Sequence, residues 1–273
     1  MQVLSPRIDM AAFYDQLATA SQRVLMLDYD GTLAPFKVRP EEAVPYPGVS
    51  EALSALMAQD NTRVVIVSGR RAAEVKDLLP LGRPPEIWGA HGWERISPQG
   101  EMWAQEPSDA AREALVRAHD LAERCRVVGS RLERKPASVA VHWRGAPESE
   151  VEPLRKRLTA AWTPLTDGVL EVLPFDGGLE LRARGTNKQH AVKAVLAETA
   201  PGSPVAYLGD DFTDEDAFQL VKVQGLAVLV RPEFRETAAD VWIKPPQELL
   251  AFLEHWRATP GQRESSARSE PPS

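Results

Sequence analysis

Two aspartates, Asp28 and Asp30, follow the apolar run of residues 24–27, and their position suits phosphoryl-transfer chemistry. The run predicts a buried strand, and open α/β sheets bind ligands at the carboxyl ends of such strands. Residues two apart in extended backbone point to the same side, and Gly31 permits a sharp turn after them. A carboxylate can attack phosphorus only where a cation offsets its charge. The pattern predicts a nucleophile, a proton-transferring carboxylate and a divalent metal, although alone it is also typical of a polar turn.

A second apolar run, residues 64–67, ends at Ser68 and Gly69 and precedes a helical pattern over residues 71–79. A hydroxyl at the end of a strand can hold a phosphate oxygen together with neighbouring backbone N–H groups. The alternative is that Ser68 only caps the helix that follows. Both interpretations stay open at this point.

Lys188 stands just before the helical pattern of residues 189–198. Its ammonium can neutralise a nucleophilic carboxylate and a phosphate during attack. A single lysine at the start of a helix is more often a solvated charge. Lys188 therefore gains weight only from the groups that accompany it.

Residues 205–208 predict another buried strand, which runs into Asp210, Asp211 and Asp214. Clustered carboxylates repel one another unless a cation compensates them. Magnesium prefers oxygen ligands and uses few protein carboxylates. The later acids also suit the N-terminal end of a helix dipole, and the two roles are compatible.

In this order the four segments resemble the haloacid dehalogenase superfamily of phosphotransferases with an aspartate nucleophile. The resemblance implies a Rossmann-like parallel sheet in which Asp28 attacks phosphorus and forms an aspartyl phosphate. Asp30 would protonate the leaving oxygen and then deprotonate water, while Ser68, with Gly69, and Lys188 would hold the phosphoryl group. The implied ligands of Mg²⁺ are Asp28, the backbone carbonyl of Asp30, and Asp210, with Asp211 and Asp214 in support.

Longer segments resemble trehalose-6-phosphate phosphatases: residues 28–35, 89–94, 133–144 and 209–218, with Glu180 and Arg182 ahead of Lys188. Two positions depart from that family's pattern, since Gln189 replaces a glycine and Trp143 replaces a tyrosine. The resemblance implies Mg²⁺-dependent hydrolysis of trehalose 6-phosphate and functional coupling to a trehalose-phosphate synthase. The alternatives are a phosphatase of another phosphorylated disaccharide or sugar-polyol, such as glucosylglycerol phosphate, and a catalytically silent regulatory homologue.

The middle of the chain alternates helical and strand patterns and predicts an inserted, smaller α/β cap domain. We place the haloacid dehalogenase-like core at residues 1–98 and 176–256 and the cap at residues 99–175. The cap is expected to select the sugar, because buried polar groups go unpaired with the wrong ligand. The candidate substrate-binding residues are Glu133, Lys135, Ser138, His142 and Arg144 in the cap, and His91 and Glu180 from the core side.

Composition excludes several other classes. The net charge of -7 argues against a nucleic-acid partner. No stretch reaches the roughly 20 apolar residues of a membrane span, and the first 22 residues lack the apolar centre of a signal peptide. The single Cys125 suits a reducing compartment, so we expect a cytoplasmic enzyme. Residues 257–273 are rich in Pro, Ser, Arg and Glu and predict a disordered tail.

Overall fold

The computed structural model describes residues 1–166, 168–185 and 187–258. The strands are β1 Gln2–Val3, β2 Arg23–Leu27, β3 Thr62–Val67, β4 Glu86–Gly89, β5 Glu94–Ile96, β6 Met102–Ala104, β7 Arg131–Lys135, β8 Ser138–His142, β9 Leu170–Phe175, β10 Gly178–Ala183, β11 Val205–Gly209, β12 Leu226–Val230 and β13 Val241–Ile243. The α-helices are α1 Met10–Thr19, α2 Val49–Met57, α3 Ala72–Leu78, α4 Asp109–Cys125, α5 Glu148–Trp162, α6 Lys188–Ala197, α7 Glu215–Val221 and α8 Gln247–Ala258.

The larger sheet has the strand order β1-β13-β12-β11-β2-β3-β4-β5-β6. Its strands from β13 to β4 run parallel, and β1, β5 and β6 extend it in antiparallel pairing. The prediction of a Rossmann-like parallel core is therefore confirmed. The neighbours β11, β2 and β3 all end at one edge, which is where the candidate groups follow them.

Strand β2 is buried on both faces, which explains the unbroken apolar run of residues 24–27 after Arg23. Leu25 and Leu27 pack with residues of α1, α2, α3 and α8 on one side of the sheet. Val24 and Met26 pack with α6 and α7 on the other side. The sheet is thus held between two helical layers, and its central strand is fixed in direction and register.

The smaller sheet is antiparallel, with the order β7-β8-β10-β9, and it forms the predicted inserted α/β unit. Helices α4 and α5 cover one of its faces, where Val139, Val141 and Trp162 are buried together. Side chains alternate along β8, so Ser138 and His142 lie on the opposite face. That opposite face carries the polar side chains of the candidate sugar site.

The boundaries of the insertion differ from our expectation of residues 99–175. Strand β6 extends the larger sheet to Ala104, and β10 pairs with β8 and β9 in the smaller sheet. Gly177 has a φ of 83° and makes the tight β9–β10 turn. We therefore propose that the cap begins between Ala104 and Asp109 and ends after Ala183.

The C-terminal end also differs in part from the prediction. Arg257 and Ala258, placed in the disordered tail, form the end of α8. The rest of the predicted tail, residues 259–273, lies outside the described residues. Of the helices in the described ranges, none combines the length and the apolar character needed to cross a bilayer.

Candidate active site

Three adjacent strands of the parallel sheet each end in a candidate site residue. Asp28 follows β2, Ser68 follows β3, and Asp210 follows β11. Because β2 lies between β11 and β3, these residues share one edge of the sheet. All three are buried. The sheet topology thus brings together groups that are up to 182 positions apart in the printed sequence (210 − 28).

Lys188 is the cation of this edge. Its Nζ lies 2.7 Å from Asp28 Oδ1 and 2.7 Å from Asp214 Oδ1, and the side chains of all three residues are at most 4% exposed. Burial raises the pKa of Asp28 to about 7, although the neighbouring ammonium opposes this effect. Burial disfavours the charge of Lys188, but its two carboxylate partners raise its pKa above the ordinary value. Lys188 is therefore a charged, desolvated partner of the nucleophile candidate and not a solvated surface charge.

Asp210 offers an oxygen that the protein does not satisfy. Its Oδ2 is buried and has no hydrogen-bond partner in the described part of the chain. One oxygen each from Asp28, Asp210 and Asp214 lie within 4.8 Å of one another. Burial and the neighbouring carboxylates raise the pKa of Asp210 well above its ordinary value. A divalent cation would coordinate the unsatisfied oxygen and offset the repulsion between the carboxylates. This donor set therefore fits a hard, oxygen-binding metal.

Gly31 permits this arrangement in two ways. Its φ is 81°, a conformation that favours glycine, and a Cβ there would lie 2.2 Å from Asp210 Oδ2. Any other residue would displace Asp210. The expected turn at Gly31 is confirmed, and its close contact with the acidic loop is a second requirement that the sequence alone does not reveal.

Asp214 and Asp211 have other partners and support the loop. Asp214 Oδ1 accepts from Lys188 and from the Tyr207 hydroxyl at 2.6 Å, and its Oδ2 accepts from the backbone N–H groups of Asp210 and Asp211. The Asp211 carboxylate accepts from the N–H groups of Phe212 and Asp176. Asp211 thus lies outside the three-carboxylate cluster, and Asp214 belongs to it with both oxygens already hydrogen-bonded.

Asp30 forms a two-pronged ion pair with Arg70. The Arg70 Nε lies 2.6 Å from Asp30 Oδ2, and Nη2 lies 2.7 Å from Oδ1. The Asp30 carboxylate is therefore not part of the metal-ligand cluster, and only its backbone carbonyl remains as the implied ligand. Arg70 received no role from the sequence, although it directly follows Ser68 and Gly69.

Ser68 does not cap a helix. Helix α3 begins at Ala72, whose N–H donates to the Glu94 carboxylate at 2.8 Å. Ser68 Oγ instead accepts from the backbone N–H of Arg70 at 3.1 Å. The helix-cap interpretation is wrong, and the hydroxyl still has its own proton to donate to an anion.

Gly69 makes room for His91. A Cβ on Gly69 would lie 2.7 Å from His91 Cε1. Ala90 and His91 adopt φ values of 49° and 57°, a left-handed conformation that non-glycine residues rarely adopt. The N–H of His91 donates to the carbonyl of Ser68, and that of Ala90 donates to the carbonyl of Arg70. This turn thereby connects the loop of Ser68, Gly69 and Arg70 to the imidazole that faces the cap.

The Glu180 carboxylate contacts three polar side chains on the cap side. Ser138 Oγ donates to it at 2.6 Å, Lys135 Nζ lies 3.3 Å away, and His91 Nε2 lies 2.9 Å away. Burial lowers the pKa of His91, so the neutral ring donates from Nε2 and keeps Nδ1 as an acceptor. That Nδ1 is buried and has no partner within the described residues. A hydroxyl group of a ligand could donate to it.

A second cluster of polar side chains surrounds Glu133. His142 Nε2 lies 2.6 Å from its carboxylate, and Arg131 Nη2 lies 3.2 Å away. Burial opposes ionisation, but Lys135 and His142 lower the pKa of Glu133 to about 2. Burial also lowers the pKa of His142, so a neutral imidazole donates to an ionised Glu133. Sequence reasoning missed Arg131, although it lies two and four residues from Glu133 and Lys135 on one strand face.

A cavity of about 540 Å³ joins these groups to the sheet edge that carries Asp28, Lys188 and Asp210, which we call the catalytic edge. The predicted site residues that line it are Asp28, Asp30, Gly69, His91, Glu133, Lys135, His142, Arg144, Glu180, Lys188, Asp210 and Asp211. The predicted residues Ser68, Ser138 and Asp214 are not among them, and Ser138 contacts Glu180 instead. Arg144 lies at the cavity edge, 3.9 Å from the centre of the Phe36 ring and 3.4 Å from the Asp176 carboxylate. The contact of Arg144 with Phe36 connects the cap to the core.

Phosphohydrolases of the haloacid dehalogenase superfamily are the class to which this fold and this catalytic edge belong. Within that class, the family model described as trehalose-phosphatase matches residues 26–240, and the chain belongs to this family.

Three similar proteins illustrate the relationship. A trehalose-6-phosphate phosphatase of Escherichia coli is 33% identical over 211 residues, covering 74% of this chain and 75% of that protein. An uncharacterized glycosyl hydrolase of Mycobacterium tuberculosis is 33% identical over 255 residues, which cover 87% of this chain but only 18% of that protein's length. The C-terminal domain of a Candida albicans trehalose-6-phosphate phosphatase shares the fold, with a TM-score of 0.81 at 20% identity over 94% of this chain and 99% of that one.

Proposed function

We propose that this chain is a Mg²⁺-dependent phosphatase that hydrolyses trehalose 6-phosphate to trehalose and phosphate. The observation that carries the proposal is the single cavity shared by Asp28, Lys188 and Asp210 on one side and the polar face of the cap on the other. Its volume of about 540 Å³ is in the range of small-molecule sites. Membership of the trehalose-phosphatase family supports the choice of substrate.

In the first step, an oxygen of Asp28 forms a bond to phosphorus while the bond from phosphorus to the sugar oxygen breaks. Asp30 gives its proton to the departing oxygen, and an aspartyl phosphate remains on Asp28. In the second step, Asp30 takes a proton from water, whose oxygen bonds to phosphorus as the bond to Asp28 breaks. Phosphate leaves, and both aspartates return to their starting states.

Lys188 supports this sequence electrostatically. At 2.7 Å from Asp28, its ammonium offsets the negative charge that otherwise repels the incoming phosphate. Because Lys188 is held by Asp214, which is itself held by Tyr207, it needs no rearrangement during attack. Ser68 is proposed to add a hydroxyl donor from the neighbouring strand end.

Asp28 and Asp210 are the side chains that would hold Mg²⁺, with the backbone carbonyl of Asp30. The unsatisfied Asp210 oxygen supports this assignment. When bound, the ion would neutralise charge between the nucleophile and the phosphate. Asp211 and Asp214 are proposed to fix the loop, because their oxygens already accept hydrogen bonds from the protein.

The cap is proposed to bind the sugar. Glu133, Lys135 and Glu180 present charged groups to the cavity, and His91 presents a free acceptor. A substrate without a matching hydroxyl group would leave the buried Nδ1 of His91 unpaired, which penalises its binding. Since the substrate requires a sugar transferase that makes it, we also propose functional coupling to a trehalose-phosphate synthase.

A phosphate-release panel tests the proposal. It compares trehalose 6-phosphate, glucose 6-phosphate, sucrose 6-phosphate and glucosylglycerol phosphate, each with and without magnesium. We expect the highest kcat/KM with trehalose 6-phosphate and dependence on magnesium. Preference for another ester would assign a different sugar to the cap, and no turnover of any ester would favour a silent regulatory homologue.

A further inference from the structure

Arg70 lies beside the two aspartates that carry out the proposed reaction, and that reaction gives it no role. It lines the cavity beside Asp28 and Asp30, and its side chain is only 12% exposed. Nε and Nη2 of its guanidinium lie 2.6 and 2.7 Å from the two carboxylate oxygens of Asp30. A partly buried, bidentate ion pair fixes direction as well as charge, because the two planar groups must align.

Arg70 is itself held at both ends. Its backbone N–H donates to Ser68 Oγ, and its carbonyl accepts from the N–H of Ala90. Its guanidinium lies over the ring of Tyr29, 5.6 Å from the centre, and the Tyr29 hydroxyl donates to the Ala43 carbonyl at 2.7 Å. Arg70 is therefore held at its backbone and against the Tyr29 ring, so its guanidinium can restrict the orientation of its partner.

The pairing leaves Asp30 able to move a proton. An ionised carboxylate has about four lone-pair sites, and the two contacts with Arg70 occupy one on each oxygen. A free lone pair remains on each oxygen to carry the proton. The ion pair with Arg70 prevents rotation of the Asp30 carboxyl group about the Cβ–Cγ bond.

We propose that Arg70 is a positioning residue that aims the Asp30 carboxyl at the leaving-group oxygen. It acts through Asp30 and not on the phosphate. The inference rests on the proposed function, since it concerns the proton transfer of that reaction. A misplacement of about 1 Å in such a group can cost about a hundredfold in rate, so a strong kinetic effect is expected.

A double-mutant cycle tests this relationship. The variants are Arg70→Met, Asp30→Asn and the pair together, and kcat/KM is measured with trehalose 6-phosphate. We expect Arg70→Met to lower it by about tenfold to a hundredfold in the parent protein but by less than about twofold when Asp30 is already Asn. Arg70→Lys should restore only part of the loss, because an ammonium cannot form the two-pronged contact.

Two comparisons separate positioning from other roles. p-Nitrophenyl phosphate needs little protonation of its leaving group, so its kcat/KM should fall clearly less than that of the sugar phosphate in Arg70→Met. Arg155→Met is the matched control, because Arg155 makes a similar two-pronged contact with Glu152 on the exposed face of α5. Circular dichroism and thermal unfolding establish that each variant is folded.

Losses that multiply fully in the double variant would overturn the inference, as would equal losses on both substrates. A weaker inhibition by inorganic phosphate in Arg70→Met would point to direct phosphate binding instead. If the parent protein ignores trehalose 6-phosphate but cleaves glucose 6-phosphate, the proposed sugar fails and the same cycle is read on glucose 6-phosphate. If no alkyl phosphate is cleaved, both proposals fail.

Discussion

Replacing Lys188 with Met should damage stability and catalysis together, and the structure sets the size of each effect. The substitution keeps the volume of the side chain but removes two ion pairs of 2.7 Å, each between side chains that are at most 4% exposed. Breaking a buried ion pair by removing one partner costs about 3–5 kcal/mol. We expect a loss of about that size in the unfolding free energy of the metal-free protein, because Asp28 and Asp214 would be left beside Asp210 without a cation.

The pH dependence has a defined sign. The pKa of Asp28 is already raised to about 7 by burial, and loss of Lys188 raises it further. A carboxyl group whose pKa is raised on folding stabilises the fold at low pH and loses that contribution as the pH rises through the folded-state value. Below about pH 7 the folded Asp28 keeps its proton in the parent and in Lys188→Met alike. The part of the stability deficit that comes from Asp28 should therefore appear near pH 7 and grow as the pH rises further.

Urea unfolding across this pH range measures the first effect, and phosphate release measures the second. Loss of a preorganised charge at the reacting centre typically lowers kcat by about 10²- to 10³-fold. Lys193→Met, on the exposed side of the same helix, is the control and should change neither quantity appreciably. A Lys188→Met protein with a normal kcat, or with a stability deficit that shrinks as the pH rises, would refute this account of the buried cation.

Further predictions concern the nucleophile, the metal and the cap. Asp28→Asn should abolish nearly all phosphate release with the fold intact, since an amide cannot form the acyl phosphate; substantial turnover in a preparation shown by mass spectrometry to be free of deamidation would exclude covalent catalysis. Chelation should stop activity, magnesium should restore it and calcium should not, because the larger ion changes the geometry of attack; full activity after exhaustive chelation would remove Asp210 as a ligand. Alanine at Glu133 and Lys135 should each lower kcat/KM for trehalose 6-phosphate by about ten- to a hundredfold yet hardly affect p-nitrophenyl phosphate, and equal losses would indicate a structural role. Because the pKa of Glu133 is lowered to about 2, its advantage in stability over Glu133→Gln should be present above about pH 4.5 and decline as the pH falls toward 2, as urea unfolding would show.

The parts of the site that sequence reasoning located share one property, which is a local signal. Asp28 and Asp210 each follow a short apolar strand, and Lys188 begins a helical pattern. The rule that parallel strands present their carboxyl ends at one edge then suffices to bring these residues together. Their spacing of two likewise places Glu133 and Lys135 on one face of β7.

Other parts depend on contacts between distant segments. Arg70 meets Asp30 across 40 positions of the chain, and no spacing within either segment predicts that pair. The expected end of the cap at residue 175 places β10 in the core, because a pair such as Gly177-Gly178 is compatible with a domain boundary as well as with a hairpin turn. Pairing with β8 and β9 decides between the two, and this pairing is a property of the folded sheet.

The acidic loop shows most clearly what each level determines. The sequence by itself determined that a buried strand ends among clustered carboxylates, and therefore that a cation belongs at this edge. It also favoured Asp210, at the end of the strand, over Asp214 as the ligand, but it did not show which groups occupy the Asp214 carboxylate. Tertiary packing supplies the physical reason. Lys188, Tyr207 and two backbone N–H groups satisfy Asp214, whereas Oδ2 of Asp210 is buried without a hydrogen-bond partner among the described residues, and Arg231 Nη1 lies 3.9 Å from it. A buried oxygen that the protein does not satisfy is the one that a metal can bind, because only there does binding recover the free energy of desolvation.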